Sequence, residues 1–125
     1  MPKEISNPND QPKAAFDLEE RTAVFGEDVI RFAKIIPLNA VTVPLVSQIV
    51  RSSTSLGANY CEADDAGTKK DFKYRIGICR KEARETKHWL RMIAAATPEH
   101  KVEARKLWQE AKELHLIFAA IWRKS

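Results

Sequence analysis

The 125-residue sequence has little glycine and cysteine and no long apolar run. Its four glycines and its many charged residues favour a helical protein over a turn-rich β fold. Because no stretch of about 18 or more apolar residues occurs, no transmembrane helix is predicted. The first residues carry prolines and charges without an apolar core, which argues against a secretory signal. We therefore expect a cytoplasmic protein with one domain.

The two cysteines, Cys61 and Cys79, fall in predicted helices, and buried, reduced thiols are expected at both positions. No spacing among cysteines and histidines matches a metal site, and no phosphate-binding loop or nucleophile motif occurs. Glu85 and His88 form one E-x-x-H segment, whereas a di-iron site in a helical bundle needs two. We therefore expect no enzyme activity, no metal or cofactor and no small-molecule substrate.

Apolar residues recur at intervals of three and four over most of the chain, which indicates amphipathic helices. The first helix is predicted over Ala14–Ile36, and Pro37 ends it because proline cannot donate a backbone hydrogen bond. The second helix is predicted from about Pro44 to Ala63, with its N-cap near Thr42. Residues 1–13 precede this pattern, and their prolines and polar side chains predict a flexible tail.

The third and fourth helices have explicit start signals. Thr68 and Asp71 form a capping-box pattern before the third helix, and Thr97 and Pro98 mark the start of the fourth. The apolar spacing continues through both helices, and no alternating strand pattern competes with it. Four amphipathic helices with short connections predict an all-α domain over residues 14–125, an antiparallel up-down-up-down four-helix bundle.

The segment RSSTSLGANYCE, residues 51–62, places poor helix formers inside the second helix. Such residues cost about 3–4 kcal/mol relative to an alanine- and leucine-rich segment. We predict that Ser53, Gly57 and Ala58 offset this cost, because small side chains let a neighbouring helix approach closely. Polar residues of the same helix form a ridge, made of Arg51, Ser55, Asn59 and Glu62. This ridge predicts either a brace between neighbouring helices or a contact between subunits.

The sequence QIVRSSTSLGANYCEADDAGTKKDF resembles a segment of the four-helix-bundle proteins encoded within intervening sequences of bacterial 23S ribosomal RNA genes. That family has approximately the pattern Q-I-x-R-A-x-x-S-I-x-A-N-I-A-E-G, followed by K-x-E-F. The matching positions are Gln48, Ile49, Arg51, Ser55, Ala58, Asn59, Glu62 and Phe72, and Gly57 lies within the same motif at an unspecified position. Tyr60, Cys61 and Ala63 depart from the pattern, so the chain resembles a divergent member.

The resemblance implies a left-handed four-helix bundle that forms a homo-oligomeric ring, with a pentamer expected. It also implies a distant likeness to the accessory protein of diversity-generating retroelements, a basic helical ring that binds reverse transcriptase and RNA. No enzymatic activity is established for the family, so the resemblance implies no catalytic residue.

Basic residues follow one side of the third helix: Lys69, Lys70, Lys73, Arg80, Arg84, Lys87 and Arg91. Residues 69–91 hold nine bases against three acids, whereas residues 1–28 hold seven acids against three bases. We call the seven basic residues listed first, from Lys69 to Arg91, the basic stripe. It predicts a surface for RNA or for a ribonucleoprotein. The alternative is a solvated side, or one that pairs with acids of the first helix or with Glu82 and Glu85.

Large side chains flank the core positions of the third and fourth helices: Trp89, Met92, Trp108, His115 and Trp122. Because a chain of this size has little interior, these five residues predict an interface between subunits. Wide core-facing helices and aromatic rings that stack on RNA bases are the alternatives. Two functions follow: an oligomeric RNA-binding bundle, or a protein-interaction scaffold with no nucleic-acid role. Exposure of the basic stripe and its lack of carboxylate partners in the assembled state discriminate between them, and burial under a neighbouring subunit would favour the scaffold.

Overall fold

The computed structural model describes residues 17–125, which form four α-helices, one short 3-10 helix and no strand. The elements are α1 (Leu18–Ile35), α2 (Thr42–Asp64), α3 (Lys69–Ala96), the 3-10 helix (Pro98–His100) and α4 (Lys101–Lys124). The predicted all-α class is confirmed. The predicted tail at residues 1–13 and the predicted helix start at Ala14 lie outside the described residues. Within residues 17–125, no helix combines the length and the apolar character that crossing a membrane requires.

The two threonines predicted as N-caps of α3 and α4 behave differently in the structure. The Thr68 hydroxyl accepts the Asp71 N–H at 3.0 Å, so the predicted N-cap of α3 is confirmed. Thr97 behaves differently, because its hydroxyl donates to the Ile93 carbonyl at 2.8 Å and provides no side-chain cap. Pro98 therefore begins the 3-10 helix, and α4 follows that helix.

The helix α2 begins at Thr42, two residues before the predicted Pro44, because side chains in the connection from α1 cap it there. The Asn39 carboxamide oxygen accepts the N–H groups of Val41 and Thr42, each at 2.9 Å. The Thr42 hydroxyl accepts the Asn39 N–H at 2.9 Å and donates to the Pro37 carbonyl at 2.6 Å. A side chain three residues upstream thus supplies the cap that the second helix needs.

One apolar core occupies the space between the four helices. Each helix contributes fully buried side chains to it, including Phe25, Ile49, Leu56, Ile76 and Phe118. These residues occupy the positions that the three-and-four spacing predicts. Burying each large apolar side chain contributes about 1.5–3 kcal/mol, so this core is the main source of the fold's stability.

The segment RSSTSLGANYCE is helical throughout, and small residues there bring α1 and α2 together. Ser53 is fully buried, and a Cβ atom built on Gly57 would lie 3.4 Å from the Thr22 hydroxyl. On the opposite helix, a Cβ atom built on Gly26 would lie 3.6 Å from the Ser53 carbonyl oxygen. The predicted close approach is confirmed at Ser53 and Gly57. Ala58, in contrast, is exposed.

The two cysteines have different surroundings, and both are free thiols. Cys79 is buried and donates to the Leu56 carbonyl at 3.6 Å, and its burial raises the pKa of the thiol to about 12. Cys61 is exposed on the outer side of α2, so the expectation of a buried thiol is wrong there. The core positions Leu56 and Ala63 place Cys61 on the opposite side of the helical wheel, so the spacing contains the signal for its exposure.

Candidate nucleic-acid interface

The basic stripe lies on a helix that α1 does not reach. Within residues 17–125, α1 packs beside α2 and α4, and none of its Cα atoms lies within 8 Å of one in α3. No ion pair joins an acid of α1 to the stripe, so the predicted alternative of pairing with the first helix is wrong for the described residues. Arg21 of α1 instead binds α4, with its Nε 2.7 Å from Glu110 and its Nη2 2.8 Å from Glu113. This contact directs two acids of α4 towards α1.

The two carboxylates near the stripe, Glu82 and Glu85, face α2. Arg51 of α2 contacts both of them, and its Nη1 lies 3.4 Å from Glu82. The Ser55 hydroxyl donates to Glu82 at 3.2 Å, and the Trp89 indole N–H donates to Glu85 at 2.9 Å. Burial disfavours the charged form of Glu85, but Trp89 and Arg51 outweigh this effect and lower its pKa. The suggestion that these acids neutralise the stripe is therefore wrong.

The polar ridge of α2 braces that helix to α3. The Asn59 amide group donates to the Ser55 carbonyl at 2.9 Å and to the Ser55 hydroxyl at 3.0 Å. Its carbonyl oxygen accepts a hydrogen bond from Arg75 of α3 at 3.0 Å. With the Arg51 contacts, this arrangement favours the first of the two predicted roles of the ridge. Glu62 takes no part in it and is exposed.

The basic stripe itself is free of carboxylates in the part of the chain that the structure describes. None of its members forms an ion pair there. Its exposed members are Lys69, Lys70, Arg84 and Arg91, and its half-buried members are Lys73, Arg80 and Lys87. In the single chain, four of the seven members are thus exposed and none pairs with a carboxylate, while exposure in an assembly stays a prediction.

Trp122 of α4 lies under two members of the stripe. The Lys73 Nζ atom lies 4.4 Å from the centre of the Trp122 ring, and the Arg80 Cζ atom lies 4.5 Å from it. A Cβ atom built on Gly77 would lie 3.2 Å from the indole nitrogen, so the indole fits where α3 lacks a side chain. The ring attracts both cations and holds them beside each other at the surface.

Trp108 repeats this arrangement further along α4. The Lys87 Nζ atom lies 5.6 Å and the Lys112 Nζ atom 5.7 Å from its ring centre. A groove between α3 and α4 continues past Trp108 and is lined by Arg91, Lys101 and Arg105 among others. These α4 bases were not predicted as site residues. Lys112 follows Trp108 by one helical turn, so the helical spacing contains the signal that could have identified it.

Trp108, His115 and Trp122 follow one another at intervals of seven residues along α4, and His115 is half-buried. Burial lowers the pKa of its imidazole, and the nearby charges of Lys87, Arg84 and Arg80 lower it further. The side chain is therefore largely neutral at pH 7.

We call the surface formed by Lys73, Arg80, Arg84, Lys87, Arg91, Trp108, Lys112, His115 and Trp122 the α3–α4 surface.

The predicted subunit interface has a different environment from the one expected. Trp89, Trp108 and Trp122 pack against the hydrophobic core as partly buried side chains, and Met92 is half-buried. The structure thus shows the alternative of wide core-facing helices for the tryptophans. An interface through these residues stays a prediction, and it would use the same surface as the basic stripe.

The comparisons with known proteins agree with this fold. The family described as 23S rRNA-intervening sequence protein matches residues 16–120. A crystal structure from Bacteroides thetaiotaomicron VPI-5482, of a protein with unknown function from the S23 ribosomal protein family, is similar at 25% sequence identity with a TM-score of 0.72. The similarity covers 83% of this chain and 96% of that chain. No curated protein matches the sequence significantly. With a family match over most of its length, the chain belongs to the 23S rRNA-intervening sequence protein family.

Proposed function

We propose that this protein is a non-catalytic RNA-binding protein and that the α3–α4 surface is its binding site. The observation that carries the proposal is a row of bases without carboxylate partners, supported from below by two tryptophans. Each base that contacts a phosphate releases counterions, so five to seven aligned bases supply a large electrostatic contribution to affinity. The family name associates the encoding gene with 23S ribosomal RNA, which favours RNA over DNA as the ligand.

The distribution of charge supports the same proposal. Residues 69–125 hold 15 bases and seven acids, whereas residues 17–68 hold four bases and eight acids. Because Glu82, Glu85, Glu110 and Glu113 face α1 or α2, the positive charge is concentrated on the α3–α4 surface. A surface of one sign attracts an anionic polymer and repels cationic ones. We place this binding in the cytoplasm, since two free thiols suit a reducing compartment.

We further propose that the four helices form an antiparallel up-down-up-down bundle. In the contacts between consecutive helices, residue numbers rise on one helix as they fall on the other. The pairs are Ser52 with Thr86, Asn59 with Arg75, Lys73 with Trp122, and Lys87 with Trp108. Such an order is what a bundle with short connections produces.

Self-association is a second proposal, and a different observation favours it. Apolar side chains around the α1–α2 connection and the start of α4 are exposed: Leu38 by 67%, Val41 by 61%, Val43 by 52% and Val102 by 68%. Exposed apolar area of this kind is typical of subunit contacts. We propose a homo-oligomer, and the family resemblance suggests five subunits. This contact would leave the α3–α4 surface available. In the alternative function, a scaffold without RNA, the oligomer itself would be the active form.

RNA binding is tested with a triple variant and a matched control. Arg80/Arg84/Lys87→Ala removes three bases from the α3–α4 surface, and Arg31/Lys34/Lys106→Ala removes three exposed bases elsewhere. Affinity for a structured RNA is measured over a range of salt concentrations, after circular dichroism has shown that both variants fold. The first variant should reduce the salt slope by about 2–3 and the low-salt affinity more than tenfold.

The control loses the same net charge as the first variant. It should nevertheless keep nearly wild-type affinity, because its three substitutions lie outside the α3–α4 surface. Equal affinity losses in both variants would mean that only net charge matters. Negligible affinity of the wild-type protein at low salt would favour the scaffold alternative.

A further inference from the structure

A shallow depression adjoins Trp122 at one end of the α3–α4 surface. Its basic lining residues are Lys69, Lys70, Lys73, Arg80 and Lys81. Ser125 also lines it, and no aspartate or glutamate side chain does among the residues that the structure describes. Five cations around one concave surface favour a ligand with at least one phosphate group.

Gly77 and Trp122 form the floor of this depression. Because Gly77 has no side chain, the Trp122 indole lies directly against α3 at that position, and both residues line the depression. The indole nitrogen carries a hydrogen-bond donor, and Lys73 and Arg80 lie 4.4 and 4.5 Å from the ring centre. The floor thus holds two positioned cations over one ring, about one turn of α3 on either side of Gly77.

Tyr74 provides an aromatic surface at the same depression. It is 64% exposed, more than any other phenylalanine, tyrosine or tryptophan among the described residues. Within residues 17–125 the Arg75 guanidinium lies near this ring, with its Cζ atom 5.7 Å from the ring centre. An exposed ring beside a group of cations is the combination by which proteins bind a base and its phosphate together.

We infer that this depression binds one unpaired nucleotide of the RNA. The inference rests on the proposed function and narrows its ligand to RNA with single-stranded nucleotides. The lysines would hold the flanking phosphates, and the base would stack on the exposed ring of Tyr74. A fully paired duplex keeps its base surfaces stacked inside the helix and cannot offer one to Tyr74. The remaining bases of the stripe would contact neighbouring phosphates in either kind of RNA.

The test compares a single-stranded RNA with a blunt-ended RNA duplex that has the same number of phosphates. The wild-type protein should bind the single strand about fivefold to tenfold more tightly, as expected for one stacked base. Tyr74→Ala should abolish this preference, whereas Tyr74→Phe, which retains the ring, should preserve it. Gly77→Val should displace the Trp122 indole from the floor of the depression and lower single-strand affinity more than duplex affinity. Because Tyr74 is exposed, its variants test the inference even if Gly77→Val does not fold.

The possible results separate the two proposals. Equal binding of both RNAs by the wild-type protein, or equal effects of Tyr74→Ala on both, would overturn the nucleotide pocket and leave RNA binding intact. If neither RNA binds at low salt, both proposals are overturned. A single-strand preference that Tyr74→Ala removes and Tyr74→Phe retains would support the pocket.

Discussion

Gly57 and Gly77 both lie inside helices, where glycine costs about 1 kcal/mol relative to alanine, and their neighbours explain why glycine is present. Gly57 lets α2 approach Thr22 of α1, and Gly77 lets Trp122 lie against α3. The space at the two positions differs. A Cβ atom at Gly57 would make an ordinary contact at 3.4 Å, whereas one at Gly77 would come within 3.2 Å of an indole nitrogen.

The Gly57 contact predicts opposite effects for two substitutions. Gly57→Ala should raise the free energy of unfolding by about 0.5–1 kcal/mol, because the methyl group fits and alanine favours the helix. Gly57→Leu should lower it by about 1–3 kcal/mol, because the longer side chain meets the Thr22 backbone. Urea unfolding followed by circular dichroism measures both. Destabilisation by alanine as large as that by leucine would show that the contact is tighter than the structure indicates.

The two thiols should react at very different rates. Cys61 is exposed, whereas Cys79 is buried and its pKa is raised to about 12, so little thiolate forms there at pH 8. A thiol reagent should modify one cysteine quickly in the native protein and both after denaturation. Cys61→Ser should remove the fast phase and leave the slow one. A fast phase that survives in this variant would contradict the burial of Cys79.

At the scale of elements, polar contacts between α2 and α3 complement the core. The Ser52 and Thr86 hydroxyls lie 2.8 Å apart in the buried part of this contact, and the Arg51 carboxylate contacts lie at its exposed edge. These hydrogen bonds satisfy polar groups that would otherwise be buried without partners. They help explain how a segment rich in serine forms a helix.

Acidification should weaken the contact between α2 and α3 through Glu85. Its pKa is lowered in the folded protein, so its contribution to stability is present above the unfolded-state pKa of about 4.3 and is lost as the pH falls through the folded-state pKa. Glu85→Gln removes this titration. Between neutral and acidic pH, the wild-type protein should therefore lose more stability than the variant.

Unfolding midpoints measured from pH 7 to pH 3 test this prediction. Glu99→Gln is the matched control, because Glu99 is exposed and forms no ion pair within the described residues. It should behave like the wild-type protein. Parallel pH profiles for all three proteins would show that Glu85 contributes nothing.

The helices could be predicted from the sequence more completely than their contacts. Apolar spacing locates the core positions, and the Thr68 cap is a local signal that needs only three residues. The partners of Arg51 and of Trp122 depend on which helices become neighbours, and residues 31 or more positions apart decide this. The stripe was therefore predicted as a set, but its lack of acidic partners and its support by tryptophans were not.

At the scale of the whole molecule, the chain separates its charges. The α3–α4 surface is basic, and the groove between α1 and α2 is lined by Glu19, Glu20 and Glu27. A polyanion is therefore expected on one side only. This separation also predicts that high salt weakens RNA binding strongly while leaving the core-dependent fold intact.

Self-association should be independent of the α3–α4 surface. Light scattering should give several times the 14.2 kDa chain mass for the wild-type protein and for Arg80/Arg84/Lys87→Ala. Leu38→Glu together with Val41→Glu should lower the mass, because both side chains are exposed in the single chain. If the basic variant dissociates instead, the predicted interface at Trp108, His115 and Trp122 would be the better account.

Ultraviolet cross-linking of RNA to the intact protein tests the central claim most directly, with the modified peptides identified by mass spectrometry. We predict cross-links on peptides from Lys69 to Arg91 and from Trp108 to Trp122, and their loss in 1 M salt. Cross-links that fall mainly on α1 and α2, or none at low salt, would contradict the assignment of the α3–α4 surface as an RNA-binding site.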